Sequence, residues 1–529
     1  MAQVMDKMKS KTGKLTAVFC ALTLTLGMAA CGTGANKAGA GSELKDKVTV
    51  AVNVQPPTLD VQLTTTSASQ IIMRNVYESL VTLDKNYEVT TALAEKYTTS
   101  EDGKTYLFDL RKGVKFQNGK EMTSADVVAS MTRWAALNAK AIQFLPGVTF
   151  TSKGDYVVEM TLQERAADAL NILAAGSQMA AIMPKELVPP AGKTQVSEFV
   201  GTGPYKFVKW EKDQFIQLSK YDDYKDNGLE PSGNSGNKAV FVKDLIFRFI
   251  TDPSTRAAGV RSGQYDIATN IPASSYDTLK SQKNVKVFTE PTGHLISVFN
   301  QRSGPTSNLK VRQAINAAMD STAIMNTAFP SEKLVHLTAD YMPSTTRWAS
   351  DAGKEEYNQH NVAKAKQLLS EAGYNGEPIH ILTSRDYDYM FKAAVVIQQQ
   401  LEAVGMKVDL DVTDYATVVE KRSKDTGWDM AMASFVYQSN PSQLYAVSST
   451  FAGSVKDVPK RDQLLKDLRA AATPEAAQAV WATLQGYIWT DYLPFVFYGD
   501  FDTVFIGTDK VQNLELFQGV IGQSLKVSK

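Results

Sequence analysis

The sequence predicts an α/β fold, and three observations carry that prediction. Helical and strand patterns alternate from Asn308 to Phe435, the rhythm of parallel strands joined by crossover helices. Composition, at 43% hydrophobic and 21% charged residues, supplies enough apolar side chains for a large core. Beyond residue 42 no uninterrupted apolar run approaches the ~20 residues that a helix needs to span a bilayer. At 529 residues the chain corresponds to roughly three units of ~150 residues.

The first element is an address. Lys7, Lys9, Lys11 and Lys14 form a positive region, and Leu15 to Ala30 is apolar and ends in small residues. Ala29 and Ala30 stand directly before Cys31, and a Gly/Ala/Ser-rich run extends to Ser42. This resembles a bacterial lipoprotein signal, with cleavage before Cys31, lipidation of that cysteine and residues 31–43 as a tether. Met28 stands where leucine is more usual. Two or more acyl chains anchor stably, because each buried CH₂ contributes ~0.8 kcal/mol. Cys20 leaves with the signal, so the mature chain has no free thiol and no disulfide, and a core this large needs no staple. Loss of residues 1–30 removes four lysines and one aspartate and leaves a net charge of −3.

The mature chain opens with a strand over Lys47–Val52, followed by the Pro-broken loop Asn53–Asp60. Thr64–Ser69 offers hydroxyls to cap a helix over Gln70–Leu80. Asp102-Gly103 and Asn118-Gly119 are turn signals around a strand at Thr105–Leu110, and Thr123–Asp126 starts a helix. Gly201–Tyr205 (GTGPY) lacks the Lys-Ser/Thr of a P-loop and the third glycine of a dinucleotide fingerprint, so it reads as a structural turn. Asp222–Lys238 is a surface loop. Leu245–Ile250 is a strand, Pro253–Gly263 a helix and Tyr265–Ala268 a strand. Val285–Phe288 and Leu295–Phe299 read as two strands around the Pro/Gly break at Glu290–Gly293. Helices follow at Asn308–Met325, Val362–Ala372, Ala393–Val404 and Pro474–Trp489. Strands follow at Ile379–Leu382, Lys407–Val412, Asp429–Phe435, Leu493–Phe497 and Thr503–Ile506.

Pro378–Met390 (PIHILTSRDYDYM) is the stretch with the most recognition chemistry. A short buried strand ends in a polar turn, and ligands of open α/β sheets bind beyond the carboxyl ends of strands. Arg385 offers a planar fork of donors suited to a carboxylate, and Tyr387 offers a large face with a polar tip. Taken alone, Arg385 reads as a surface arginine paired with Asp386.

Other chemistries are excluded or unsupported. The formal net charge is zero and no basic run follows residue 14, which excludes nucleic acid as a partner. His294, His336, His360 and His380 are the four histidines, and none has a metal-ligand spacing. There is no G-x-S-x-G, no H-E-x-x-H and no mature thiol. The residues imply a binding protein rather than an enzyme, with no metal and no cofactor.

With these pieces in place the chain resembles the family 5 extracellular solute-binding proteins of ABC importers, the dipeptide/oligopeptide/nickel-binding group. The carrying segments occur in order: PPTLD (Pro56–Asp60), NVYESL (Asn75–Leu80), LAEKY to DGKTYLFDLRKGVKF (Leu93–Phe116), TSADVV (Thr123–Val128), GTGPY (Gly201–Tyr205), RSGQYDIA (Arg261–Ala268), NLKVRQAINAAMD (Asn308–Asp320) and AKQLLSEAGY (Ala365–Tyr374). The resemblance implies a type II periplasmic-binding-protein-like fold with two lobes, two hinge crossings and an inserted domain. Lobe I is placed at 44–85, 197–290 and 495–529, the insert at 86–196 and lobe II at 291–494. The crossings fall near Glu290–Gly293 and Tyr492–Pro494.

The same resemblance implies a monomeric, lipid-anchored receptor on the extracytoplasmic face of the cell membrane, which closes around a solute and delivers it to permease subunits. Dipeptide-binding members place an arginine after this lobe II strand against the peptide carboxylate, and Arg385 falls on that position. They also place an aspartate, shortly before an Asp-Pro step, against the peptide amine. Here that stretch is Ser434–Pro441 and holds no carboxylate. Tyr437, Gln438 and Asn440 can hydrogen-bond a ligand but cannot neutralise an ammonium. Thr65, Thr66 and Ser67, after the first strand, complete the expected contacts, and His294 reads as structural. The expected ligand is a peptide or peptide-like solute. An oligosaccharide, an opine-like compound or a metal complex on the same fold is the alternative, and an exported enzyme or a sensor domain is a third.

Overall fold

The computed structural model describes residues 43–188, 193–444, 447–449 and 451–529. The signal segment, Cys31 and the tether up to Ser42 lie outside the described residues. Nineteen strands are named in chain order among the described residues. The first are β1 (Lys47–Val52), β2 (Val81–Leu83), β3 (Val89–Thr91), β4 (Ala94–Thr99), β5 (Thr105–Leu110), β6 (Thr149–Ser152) and β7 (Val157–Thr161). Then come β8 (Tyr205–Glu211), β9 (Phe215–Lys220), β10 (Asp244–Phe249), β11 (Ile267–Ile271) and the long β12 (Val285–Phe299). The last are β13 (Val335–His336), β14 (Ile379–Ser384), β15 (Val408–Thr413), β16 (Met430–Val436), the long β17 (Phe495–Thr508), β18 (Val511–Leu516) and β19 (Val520–Val527).

Eleven of these strands make one mixed sheet in the order β15-β14-β16-β12-β17-β11-β1-β10-β9-β8, with β13 paired to β17 off this path. The α/β expectation holds. β14 runs parallel to β15 and β16, and β1 runs parallel to β10 and β11. At the centre β12 and β17 pair antiparallel from Val285↔Thr508 to Val298↔Phe495. One part of this ribbon, Gly293–Phe299, also pairs with β16, and the far part of β17 pairs with β11.

Apolar side chains fall into separate cores. One gathers Val50, Phe247 and Leu525 around the β1 half of the sheet. A second, including Phe108, Trp134 and Met160, lies over the four-stranded sheet β4-β5-β7-β6. Two more flank the β14 half, one with Ile381, Ile397 and Met430 and one with Trp481, Trp489 and Phe497.

Several elements differ from their expected extent. The helix expected to reach Leu80 spans Ser67–Met73. Beyond it Asn75 Nδ2 bonds back to the carbonyls of Ile71 and Ile72, while the carbonyls of Asn75 and Val76 accept from Tyr205 and Gly203. GTGPY is thus the structural turn expected, and its glycines serve close approach. A Cβ on Gly203 would lie 2.6 Å from Asn75 O, and one on Gly201 would lie 2.1 Å from Val76 O. The single helix expected over Asn308–Met325 is two, Leu309–Ala318 and Ser321–Ala328, because Asp320 accepts from Ala323 N and caps the second. The two strands expected around Glu290–Gly293 are one, and so are the two expected within Leu493–Ile506. Register shifts at Pro291/Gly293 and Leu295/Ile296 absorb the proline and glycine without ending the pairing.

Candidate functional site

β14 ends at Ser384, and its polar turn carries the sequence-predicted Arg385 and Tyr387. Arg385 is exposed and its guanidinium lies 3.6 Å from the centroid of the Phe391 ring. It makes no ion pair with Asp386, whose carboxylate instead accepts from Tyr415 N at 2.8 Å. Tyr387 is 40% exposed and stands edge-on to Tyr415 at 4.9 Å. Tyr389 turns inward. Its hydroxyl meets Ser434 Oγ on β16 at 2.9 Å, and its ring stacks on Phe329.

The neighbouring strand β16 ends at Val436 and opens the loop with the other three lobe II candidates. Tyr437 is buried, and its hydroxyl donates to Asp500 Oδ2 at 2.8 Å. His294 Nδ1 lies 2.6 Å from the other oxygen of the same carboxylate. Gln438 Oε1 accepts from Lys140 Nζ at 2.9 Å, and its Nε2 donates to Val436 O. Asn440 is buried, and its side chain caps its own loop by accepting from Ser442 N at 3.0 Å.

The third set lies after β1. Thr65 and Ser67 are exposed, and Thr66 is half-buried with its hydroxyl 2.8 Å from Ser69 Oγ. No hydrogen bond or ring contact among the described residues joins Thr65, Thr66 or Ser67 to Arg385 or Tyr437. The structure therefore places Arg385 and Tyr387 at one strand end and Tyr437–Asn440 at the end of the next strand.

The Tyr437 loop also packs against the segment 140–171. Asn171 Nδ2 reaches Ser439 Oγ at 3.2 Å. Ser442 Oγ donates to Asp168 Oδ2 at 2.6 Å, and Arg469 Nε lies 3.1 Å from both oxygens of that carboxylate. Burial lowers the Lys140 ammonium to about 8, and the Asp168 charge opposes the drop.

Reading the sequence by segments misses the acids behind the loop. Asp500 and Asp502 lie on β17, and His336 on β13 meets Asp502 at 2.7 Å. Burial raises the Asp340 carboxyl to about 6 against two backbone N–H bonds from Met342 and Ser350. Burial also raises Glu290 on β12 to about 7, against the N–H bond from Gly519 and the nearby Arg74. The Tyr437 hydroxyl is pushed far above the usual phenol range, first by burial and then by the Asp500 charge. The one available signal was the pair Asp500 and Asp502 inside an otherwise apolar strand, FVFYGDFDTVF. Among the described residues no group of three or more His, Cys, Asp or Glu side chains is arranged to hold a metal ion, and no helix is long and apolar enough to cross a membrane.

Comparison with known proteins places this geometry. Residues 88–456 match the family described as "Bacterial extracellular solute-binding proteins, family 5 Middle". The glutathione-binding protein GsiB of Salmonella paratyphi A is 30% identical over 415 residues, which are 76% of this chain and 77% of that protein. GsiB of Shigella dysenteriae serotype 1 is 30% identical over 481 residues, 85% of this chain and 88% of that protein. Among solved structures, AgaA of A. tumefaciens R10 in complex with agropinic acid superposes with a TM-score of 0.76 at 24% identity, covering 91% of this chain and 99% of AgaA. The oligopeptide-binding protein AppA of Bacillus subtilis in complex with a nonapeptide gives 0.73 at 21% identity, over 90% of this chain and 97% of AppA. The fold is that of the type II periplasmic-binding proteins, the matched relatives are named as binding proteins rather than enzymes, and the chain belongs to family 5 of the bacterial extracellular solute-binding proteins.

Proposed function

We propose that the protein is a lipid-anchored receptor that binds peptides or peptide-like solutes and hands them to an ABC permease. Arg385 carries the reading. Its guanidinium is exposed, unpaired among the described residues and held by Phe391 at the carboxyl end of β14. A ligand carboxylate docking there gains a charge-assisted, bidentate contact. Glutathione, named for the GsiB relatives, is the first candidate ligand.

The proposed lobes keep the boundaries given above, with lobe I at 44–85, 197–290 and 495–529, the insert at 86–196 and lobe II at 291–494. The separate cores support three units, although Phe495–Phe501 pack with the lobe II cores and Leu80–Leu83 with the core of the insert. Closure presses the loop Tyr437–Ser442 against segment 140–171, and a ligand favours closure only through its better affinity for the closed form. In this reading Arg385, Tyr387, Tyr437, Gln438 and Asn440 face the ligand from lobe II. Thr65, Thr66 and Ser67 face it from lobe I, and acylated Cys31 holds the monomer to the membrane.

A second reading keeps the fold and replaces the peptide by another organic acid. The loop Ser434–Pro441 favours it, because it offers no carboxylate to an ammonium.

Purified residues 32–529 should melt at a higher temperature with glutathione or some member of a tripeptide library, as mass action requires. A shift with acids that lack an amine, and with no peptide, selects the second reading. Arg385→Ala should weaken a carboxylate-bearing ligand by about tenfold or more, from the ~1.5–3 kcal/mol of a hydrogen bond to a charged group. Unchanged affinity removes Arg385 from the site.

A further inference from the structure

Behind the Tyr437 loop lies a small pocket of about 20 Å³. Its walls are almost wholly apolar and include Ile296, Leu444, Phe495 and Phe497. Three polar residues join them, His294, Tyr341 and Gln438. His294 and Tyr341 are buried, at 4% and 1% exposure, and each leaves one buried polar atom without a hydrogen-bond partner. These atoms are His294 Nε2 and the Tyr341 hydroxyl. Two orphaned polar atoms on residues lining one apolar pocket demand an explanation, because a buried donor or acceptor left without a partner is destabilising.

The proton bookkeeping defines what fits. The Asp500 carboxylate takes the hydrogen on His294 Nδ1, so in the neutral ring Nε2 is an acceptor. Tyr341 supplies a hydroxyl that both donates and accepts. The pair therefore suits a group that is itself a donor and an acceptor. The volume admits one group about the size of a water molecule. Of the lining residues Val436, the last of β16, is 53% exposed and Phe435 and Gln438 are half-buried, so the pocket meets the surface on their side.

We propose that this pocket is a specificity subsite for a short ligand side chain tipped with a hydroxyl or thiol, which donates to His294 Nε2 and accepts from Tyr341. The subsite rests on the peptide reading above. A ligand with a bare methyl group at this position leaves both atoms unpaired, and a larger apolar side chain exceeds the space.

The test uses two tripeptide series, γ-glutamyl-Xaa-glycine and alanyl-Xaa-alanine, with Xaa as Cys, Ser, Ala or Leu. Calorimetric affinities are measured for the purified protein and for Tyr341→Phe, which keeps the ring stacked on Trp489 and removes only the unpartnered hydroxyl. In the unaltered protein the Ser or Cys peptide should bind about tenfold tighter than the Ala peptide, and the Leu peptide weakest. In Tyr341→Phe the ratio of Ser to Ala affinity should fall towards one, with the Ala peptide bound as before. Equal binding of Ser and Ala peptides by the unaltered protein overturns the subsite and leaves the peptide receptor standing, with the pocket holding water alone. A Ser/Ala ratio that Tyr341→Phe does not move also overturns it. If neither series binds at all, the peptide reading fails and the subsite fails with it.

Discussion

Glu290 is a carboxyl group inside the central ribbon, and its replacement by glutamine should reshape the pH dependence of stability. Burial raises its pKa from 4.5 to about 7. The protonated acid is thus the form that the folded protein prefers. Below pH 4.5 both folded and unfolded chains hold the proton, and the full stability is present. As pH rises from there to about 7 the unfolded chain releases the proton while the folded chain keeps it. Stability then falls by ~1.4 kcal/mol per pH unit and levels off once the folded group ionises. The shift of about 2.5 units, from 4.5 to about 7, corresponds to a loss of about 3 kcal/mol. Glu290→Gln removes this titration. The amide oxygen still accepts from Gly519 N, now 2.9 Å from Glu290 Oε2. Arg74 keeps its bonds to the Phe517 and Gln518 carbonyls. Thermal melts of both proteins from pH 4.5 to 8.5 provide the assay. The variant should match the unaltered protein at pH 4.5 and be the more stable of the two at pH 8. Parallel curves across that range would refute the reasoning, because they would mean that Glu290 titrates alike in the folded and unfolded chains.

Two further perturbations follow from the packing. Asp168→Ala removes the acceptor shared by Ser442 and Arg469 and leaves the guanidinium of Arg469, which is 20% exposed, without its carboxylate. The cost should be about 2–3 kcal/mol, and the amides of Ser439–Gln443 should exchange hydrogen at least tenfold faster; unchanged exchange there would show that the contact with segment 140–171 does not hold this loop. Gly203→Ala drives a Cβ to 2.6 Å from Asn75 O in backbone that has little freedom to move. Chemical denaturation should register a loss of about 1–3 kcal/mol, and an unaltered midpoint would mean that the turn yields freely.

The parts of the fold that could be read in the sequence are those where one element follows one local rule. In the half from Leu309 to Val436 the strands β14, β15 and β16 and the helices Val362–Glu371 and Asp388–Ala403 lie within about five residues of their expected ranges, whereas the helix expected over Asn308–Met325 is divided at Asp320. The central ribbon did not follow such a rule. Pro291 and Gly293 signal a break in any single-sequence reading, but pairing of β12 with β17 across more than two hundred residues overrides that signal. Tertiary bonding likewise ended the helix before Asn75, whose carbonyl accepts from Tyr205 N while its side-chain amide closes on the helix carbonyls of Ile71 and Ile72. At the candidate site the exposed place of Arg385 just beyond β14 was legible, because one strand and its turn define it. Asp500 was not, because its partners come from elsewhere in the chain, His294 from β12 and Tyr437 from the loop after β16. A carboxylate near the Tyr437 loop exists, but it comes from β17 rather than from the loop itself.

The shared ribbon also governs the order in which the chain can complete itself. β11 lies between β1 and β17, so one of its edges stays unpaired until residues near Val504–Gly507 emerge. Most of β12 waits on the same strand. During synthesis, therefore, the first half of the protein carries an open, apolar sheet edge for more than two hundred residues. Such an edge is a template for pairing with other chains, and long-range pairings form slowly. Only the segment from Phe495 onward closes it, which makes that segment the step that commits the whole sheet to its final form and makes chains cut short before Phe495 the ones most exposed to aggregation.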